Sequence, residues 1–148
     1  MFVFKAAVLG GGTMGGEIAQ VIANADIPVV VKDVEREFLD HAMDKARGVT
    51  KSQLDKLVSK EKLTQEAADS RLDEVMGLIT GATTYDDFGD VDFVIEAVPE
   101  KMELKKYDYR ELDEVTPGHA ILASNTSSLS VTEMASRLQH LEALDALL

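Results

Sequence analysis

Residues 7–33 read AVLGGGTMGGEIAQVIANADIPVVVKD, and four of them have the types and spacing to hold a phosphate and a sugar. Gly10, Gly12 and Gly15 form G-x-G-x-x-G between an apolar run and a helical pattern. In such a motif the first glycine permits a tight turn and the second lets backbone approach a pyrophosphate. The third lets the helix lie close on the strand. The helix N-terminus then offers unpaired N–H groups and a partial positive charge to the phosphates. Asp33 closes the next apolar run, where a carboxylate can accept from both hydroxyls of an adenine ribose. A 2′-phosphate there would meet a negative charge, so the pattern favours NAD over NADP, with Lys32 next door weakening the preference. The plainer alternative is a tight turn followed by an exposed aspartate.

The elements that must position these residues follow from the patterning. Phe2 to Leu9 reads as a strand buried on both faces. Met14, Ile18, Val21, Ile22 and Ala25 fall at helical spacing, and Val29-Val30-Val31 reads as a second buried strand. This is a βαβ unit. Charged helical text runs from Glu35 to about Lys62, and Thr64-Gln65-Glu66 opens another helix that ends near Gly77. Strands are expected at Leu78–Thr80, Asp92–Val98 and Ala120–Ala123, and a helix from about Lys101 to Val115. Ser130-Val131-Thr132-Glu133 has the form of a capping box opening a last helix. Strands alternating with helices predict an α/β fold with a mainly parallel sheet covered on both faces.

Composition narrows the chemistry. The 148 residues fit one domain, and 45% hydrophobic content suffices for a core. Twenty-seven acids against fifteen bases leave a net charge of −12, which disfavours nucleic acid as a partner. There is no cysteine, so disulfides, thiolate metal sites and a cysteine nucleophile are excluded, and no metal site is expected. No apolar run has the length of a membrane span, and the N-terminus has no signal-peptide pattern. A cytoplasmic domain is expected.

GGGTMG, VKD, VIEAVPE followed by ELKK, and ILASNTSSLSVTE together resemble the NAD-binding domain of the 3-hydroxyacyl-CoA dehydrogenases of fatty-acid β-oxidation. In these motifs the chain looks like the bacterial multifunctional enzymes in particular. The resemblance covers about Val3 to Ala135. It implies a Rossmann-type doubly wound sheet with a helical insertion, and a cradle for pyrophosphate from Gly10, Gly11, Gly12, Thr13, Met14 and Gly15. It implies Asp33 on the adenosine ribose, Glu100 and Lys105 by the nicotinamide half, and Ser127 beside the nicotinamide and the substrate 3-oxygen. Each has a plainer alternative: solvent charges at the start of a helix for Glu100 and Lys105, a loop turn for Ser127. The helices between Glu35 and Gly77 occupy the place of the family's coenzyme-A-contacting insertion. Lys56 and Lys60 are candidates for its phosphates, although a solvated charged face is the preferred reading.

The resemblance stops short of the family's catalytic histidine, which lies in an H-F-F-N-P stretch and acts as general base on the 3-hydroxyl. His41, His119 and His140 do not match it. The expected organisation is a NAD-binding domain over residues 1–135 and a tail over 136–148 without a family counterpart, whose leucines suggest a helix. The family's all-helical C-terminal domain, which completes the acyl-CoA site and makes the dimer, is absent from this sequence. Two rival readings are a related hydroxy-acid dehydrogenase domain and a non-catalytic NAD-binding or assembly module. The partners expected are an acyl-CoA substrate in the complete enzyme, and a second copy or the missing domain.

Overall fold

The computed structural model describes residues 2–12, 14–126, 129–130 and 144–146. Six strands form one parallel sheet: β1 (Ala6–Leu9), β2 (Val29–Lys32), β3 (Ile79–Ala82), β4 (Phe93–Glu96), β5 (Ile121–Ser124) and β6 (Leu144–Ala146). Their order is β3-β2-β1-β4-β5-β6. The chain runs outward from β1 to β3, returns to β4 and proceeds the other way, the doubly wound order of a Rossmann fold. The switch lies between β1 and β4, so a crevice opens above their C-terminal ends.

Alternation along the short strands divides the core. Ala6, Val8, Val29 and Val31 face a layer containing Ala19, Ala23, Leu39, Ala42 and Ala46. These come from α1 (Gly15–Asn24) and α2 (Arg36–Ser59). Ala7, Leu9, Val30 and Val94 face Phe88, Val91, Tyr109 and Leu112. The last two belong to α4 (Met102–Val115). Small residues let α1 and α2 cross closely: a Cβ on Gly16 would run into the Ala42 carbonyl. The helical insertion is α2 with α3 (Gln65–Gly77), whose N-cap Thr64 accepts from the Ala67 N–H at 3.2 Å.

Two expectations change. β1 begins at Ala6 rather than Phe2, because Phe2 and Phe4 point into solvent, 83% and 76% exposed, and find no sheet neighbour to pair with. Leu144–Ala146 is a strand in parallel register with β5, not part of a leucine-bearing helix. Sheet pairing to an open edge overrides the local pattern there. The helix expected after Ser130 and the histidine at 140 fall outside the described residues.

Register carries the fold to the site. Ala82, Lys32, Leu9, Glu96, Ser124 and Ala146 stand opposite one another as the last row of the sheet. Leu9 belongs to the α4 side of the sheet, so the row directs Lys32, Glu96 and Ser124 to that side. A polar layer therefore lies under the crevice.

Candidate functional site

The crevice is a cleft of about 720 Å³ bounded by Gly10, Gly12 and Met14, by Lys32, Asp33, Val34 and Phe38, and by Ala97–Glu100, Leu104, Asp108 and Asn125. At its centre the glycine loop is built as the motif requires. Gly10 has φ +100°, and a Cβ there would lie 2.9 Å from the Ala97 carbonyl oxygen. A Cβ on Gly15 would run into the Gly10 carbonyl, whereas one on Gly12 would meet nothing within 4 Å. Gly10 and Gly15 are thus needed by the protein's own packing. Gly12 instead keeps open the cleft wall where backbone could approach a ligand. No side chain caps the N-terminus of α1 at Met14. Thr13 lies outside the described residues.

Asp33 stands at one end of this loop. Its Oδ2 accepts from the Gly11 N–H at 2.8 Å and its Oδ1 from the Glu35 N–H at 3.1 Å. The carboxylate therefore ties the glycine loop to the end of β2. Each oxygen retains acceptor capacity for a sugar hydroxyl, since a carboxylate has about four lone-pair sites.

The other end is organised by a buried ion pair. The Lys105 ammonium donates to Glu96 Oε1 at 2.9 Å and Oε2 at 2.8 Å, and lies 3.0 Å from Glu100 Oε1. Glu96 also accepts from the Val98 N–H at 2.8 Å and from Ser124 Oγ at 2.7 Å. Thr126 Oγ1 donates to Glu100 Oε2 at 2.8 Å and accepts from the Leu129 N–H at 3.2 Å. The side chains of Glu96 and Lys105 are wholly enclosed, while that of Glu100 is 44% exposed at the cleft. So Glu100 meets the cleft and Lys105 does not. Lys105 acts from beneath, fixing Glu100 and the β4 and β5 loops together. Asn125 reaches across to Met14 Sδ at 3.5 Å. Ser127 follows this cluster directly and lies outside the described residues.

Glu96 and Ser124 escaped the sequence reading. The available signal was a charged residue inside a strand expected to be buried on both faces, since such a charge must be paired. Lys32 and Asp108 also line the cleft. The Lys32 ammonium sits 4.1 Å above the Tyr85 ring centre. Burial pushes the Asp108 carboxyl up to about 6, partly opposed by the charge of Lys32.

Other candidates lie elsewhere. His119 pairs with Asp92 Oδ1 at 3.0 Å, at the N-terminal ends of β4 and β5, away from the cleft. His41 is exposed on α2. Lys56 and Lys60 stand exposed near the end of α2, Lys56 lining a shallow groove with Lys51 and Asp55. Among the described residues no group of three acidic or histidine side chains is placed to hold a metal, and no helix is long and apolar enough to cross a membrane.

A glycine cradle open only at Gly12, flanked by Asp33 and by Glu100, suits a dinucleotide in an extended pose. Comparison with known proteins agrees with that geometry. Residues 5–146 match the family model described as 3-hydroxyacyl-CoA dehydrogenase, NAD binding domain. The chain belongs to this family. Its cofactor is accordingly NAD. It is 38% identical over 138 residues to a fatty acid oxidation complex subunit alpha from a Psychrobacter species, covering 93% of this chain and 18% of that one. It is 40% identical to a probable 3-hydroxybutyryl-CoA dehydrogenase of Deinococcus radiodurans, covering 88% of this chain and 44% of that one. The structure of 3-hydroxybutyryl-CoA dehydrogenase from Escherichia coli superposes with TM-score 0.82 at 32% identity, covering 99% of this chain and 29% of the other. The chain thus spans less than half the length of these relatives.

Proposed function

We propose that the chain is the cofactor-holding part of an NAD-dependent (S)-3-hydroxyacyl-CoA dehydrogenase that forms 3-oxoacyl-CoA in fatty-acid β-oxidation. The observation that carries this reading is the cleft itself, a glycine loop open at Gly12 between the Asp33 carboxylate and the braced Glu100. When bound, NAD supplies the acceptor for the hydride leaving carbon 3 of the substrate. The chain's residues bind and orient. Backbone at Gly10–Gly15 and the N-terminus of α1 take the pyrophosphate, and Asp33 takes the adenine ribose and disfavours a 2′-phosphate. Glu100, held by Lys105, meets the nicotinamide half. The family motif assigns Ser127 to the substrate 3-oxygen.

The base that removes the hydroxyl proton comes from outside these 148 residues. His119 lies away from the cleft, His41 is exposed on α2 and is not among the residues bounding the cleft, and His140 lacks the aromatic sequence neighbours of the family motif. The acyl-CoA is then held jointly with a further domain, and the setting is cytoplasmic, in keeping with a chain that has no cysteine.

Calorimetry of the chain with NAD and NADP tests the reading. NAD is expected to bind more tightly, by about 10- to 150-fold if one charge-assisted hydrogen bond at Asp33 decides. Equal affinity overturns the role given to Asp33. The chain alone is expected to reduce no NAD with a 3-hydroxyacyl-CoA. Turnover of roughly 1–10³ s⁻¹ would show that it contains its own base.

A further inference from the structure

The reading of the cleft as a dinucleotide site leaves two of its charged side chains without a role, and the following rests on that reading. Lys32 ends β2 and Asp108 lies on α4, and both line the cleft although each residue is only 8% exposed. Among the described residues neither side chain makes a hydrogen bond or an ion pair: the Lys32 ammonium rests on the face of the Tyr85 ring with its N–H donors unused, and the polar atoms of neither side chain are sealed from solvent. Nearly buried charges are costly unless something engages them. A partner of opposite sense for each, arriving through the cleft, satisfies both.

Their place says which part of a dinucleotide that is. Asp33, the candidate ribose ligand, immediately follows Lys32 in the chain. Glu100 and Asn125 belong to the far side of the switch, after β4 and β5. The compartment beside Lys32 therefore receives the base attached to the ribose on Asp33. The apolar lining of the cleft includes Val34 beside Asp33, and Val98 and Leu104 from the opposite wall, suited to the faces of a flat ring. The polar edge of adenine carries an amino donor beside a ring-nitrogen acceptor.

We propose that Lys32 and Asp108 read this edge: the Asp108 carboxylate accepts from the 6-amino group and the Lys32 ammonium donates to a ring nitrogen. The pair would then select adenine over a base bearing a carbonyl at the same position. Hypoxanthine is that base. Its 6-oxygen would face the Asp108 carboxylate, acceptor against acceptor.

The experiment is calorimetric titration of the 148-residue chain with NAD and with the dinucleotide in which hypoxanthine replaces adenine. At neutral pH the NAD complex is expected to be about 10- to 100-fold tighter. In Asp108→Asn the amide can donate to the 6-oxygen, so the ratio should narrow to within about threefold. Asp108→Leu, which neither accepts nor donates, should narrow it as well and serves if the asparagine variant does not fold. Equal affinity of the unmodified chain for the two dinucleotides overturns this inference and leaves the proposed function standing. So does a ratio unchanged in a folded variant. Failure to bind NAD at all overturns both.

Discussion

Lys105 shows how one enclosed side chain governs a site it does not touch. Its ammonium meets three carboxylate oxygens, two of Glu96 and one of Glu100. Lys105→Met would leave Glu96 charged and enclosed, at a cost of about 3–5 kcal/mol. Urea unfolding should show that loss, and NAD affinity should fall because Glu100 is no longer held. Adding Glu96→Gln should recover most of the stability, since the amide oxygen can still accept from the Val98 N–H while the amide nitrogen donates to Ser124 Oγ. A second prediction concerns Asp108, whose carboxyl lies at about 6 against an ordinary 3.8, chiefly through burial. A carboxyl with a raised pKa in the folded state destabilises above that pKa, and the cost fades as pH falls toward the unfolded value. Lys32, Glu96, Glu111 and Lys105 are the charges that set the balance around it. Asp108→Asn should therefore raise stability by about 1–3 kcal/mol at pH near 8. The gain should roughly halve by pH near 5, and a gain independent of pH would refute the assignment.

At the scale of elements, the strand–loop–helix start of the chain separates glycines that the protein's own packing requires from one that faces open space. A Cβ at Gly15 meets the backbone carbonyl of Gly10, which cannot swing away, whereas Gly12 faces open space. Gly15→Ala should cost about 1–3 kcal/mol in denaturant unfolding and should weaken NAD binding with it. Gly12→Ala should leave unfolding unchanged within about 0.5 kcal/mol, yet weaken NAD, because only the approach of the pyrophosphate is blocked. Comparable stability losses in the two variants would contradict this division. The motif spacing identifies all three glycines alike. Their different duties depend on what each one faces, which spacing alone does not contain.

The whole molecule combines a net charge of −12 with apolar side chains left at its surface. Phe2 and Phe4 are 83% and 76% exposed before β1, and Val21 on α1 is 67% exposed. Apolar surface of this kind favours association, and like charge opposes it. The screening length shortens from about 10 Å at 0.1 M salt to about 3 Å at 1 M. Light scattering should therefore show the average mass rising with salt at high protein concentration, and Phe2→Ser with Phe4→Ser should reduce the rise. A mass constant at the monomer value across that range would show that the exposed side chains do not associate.

What was legible in the sequence was whatever depends on neighbours along the chain. Apolar runs, helical spacing, the Thr64 cap and the glycine triplet are local patterns, and they sufficed for an α/β fold with a mainly parallel sheet and for Asp33 at the end of β2, while the doubly wound order came from the family resemblance. Family motifs brought Glu100 into the site. Tertiary structure alone decided what is joined across the sheet. Glu96 and Ser124 lie 28 residues apart, yet register sets them side by side. Lys32 and Asp108 meet the same cleft only because α4 crosses the face to which β2 turns its last side chain. Leu144–Ala146, with leucines that suggest a helix, pairs instead with β5. A free strand edge offers backbone hydrogen bonds that no local propensity registers.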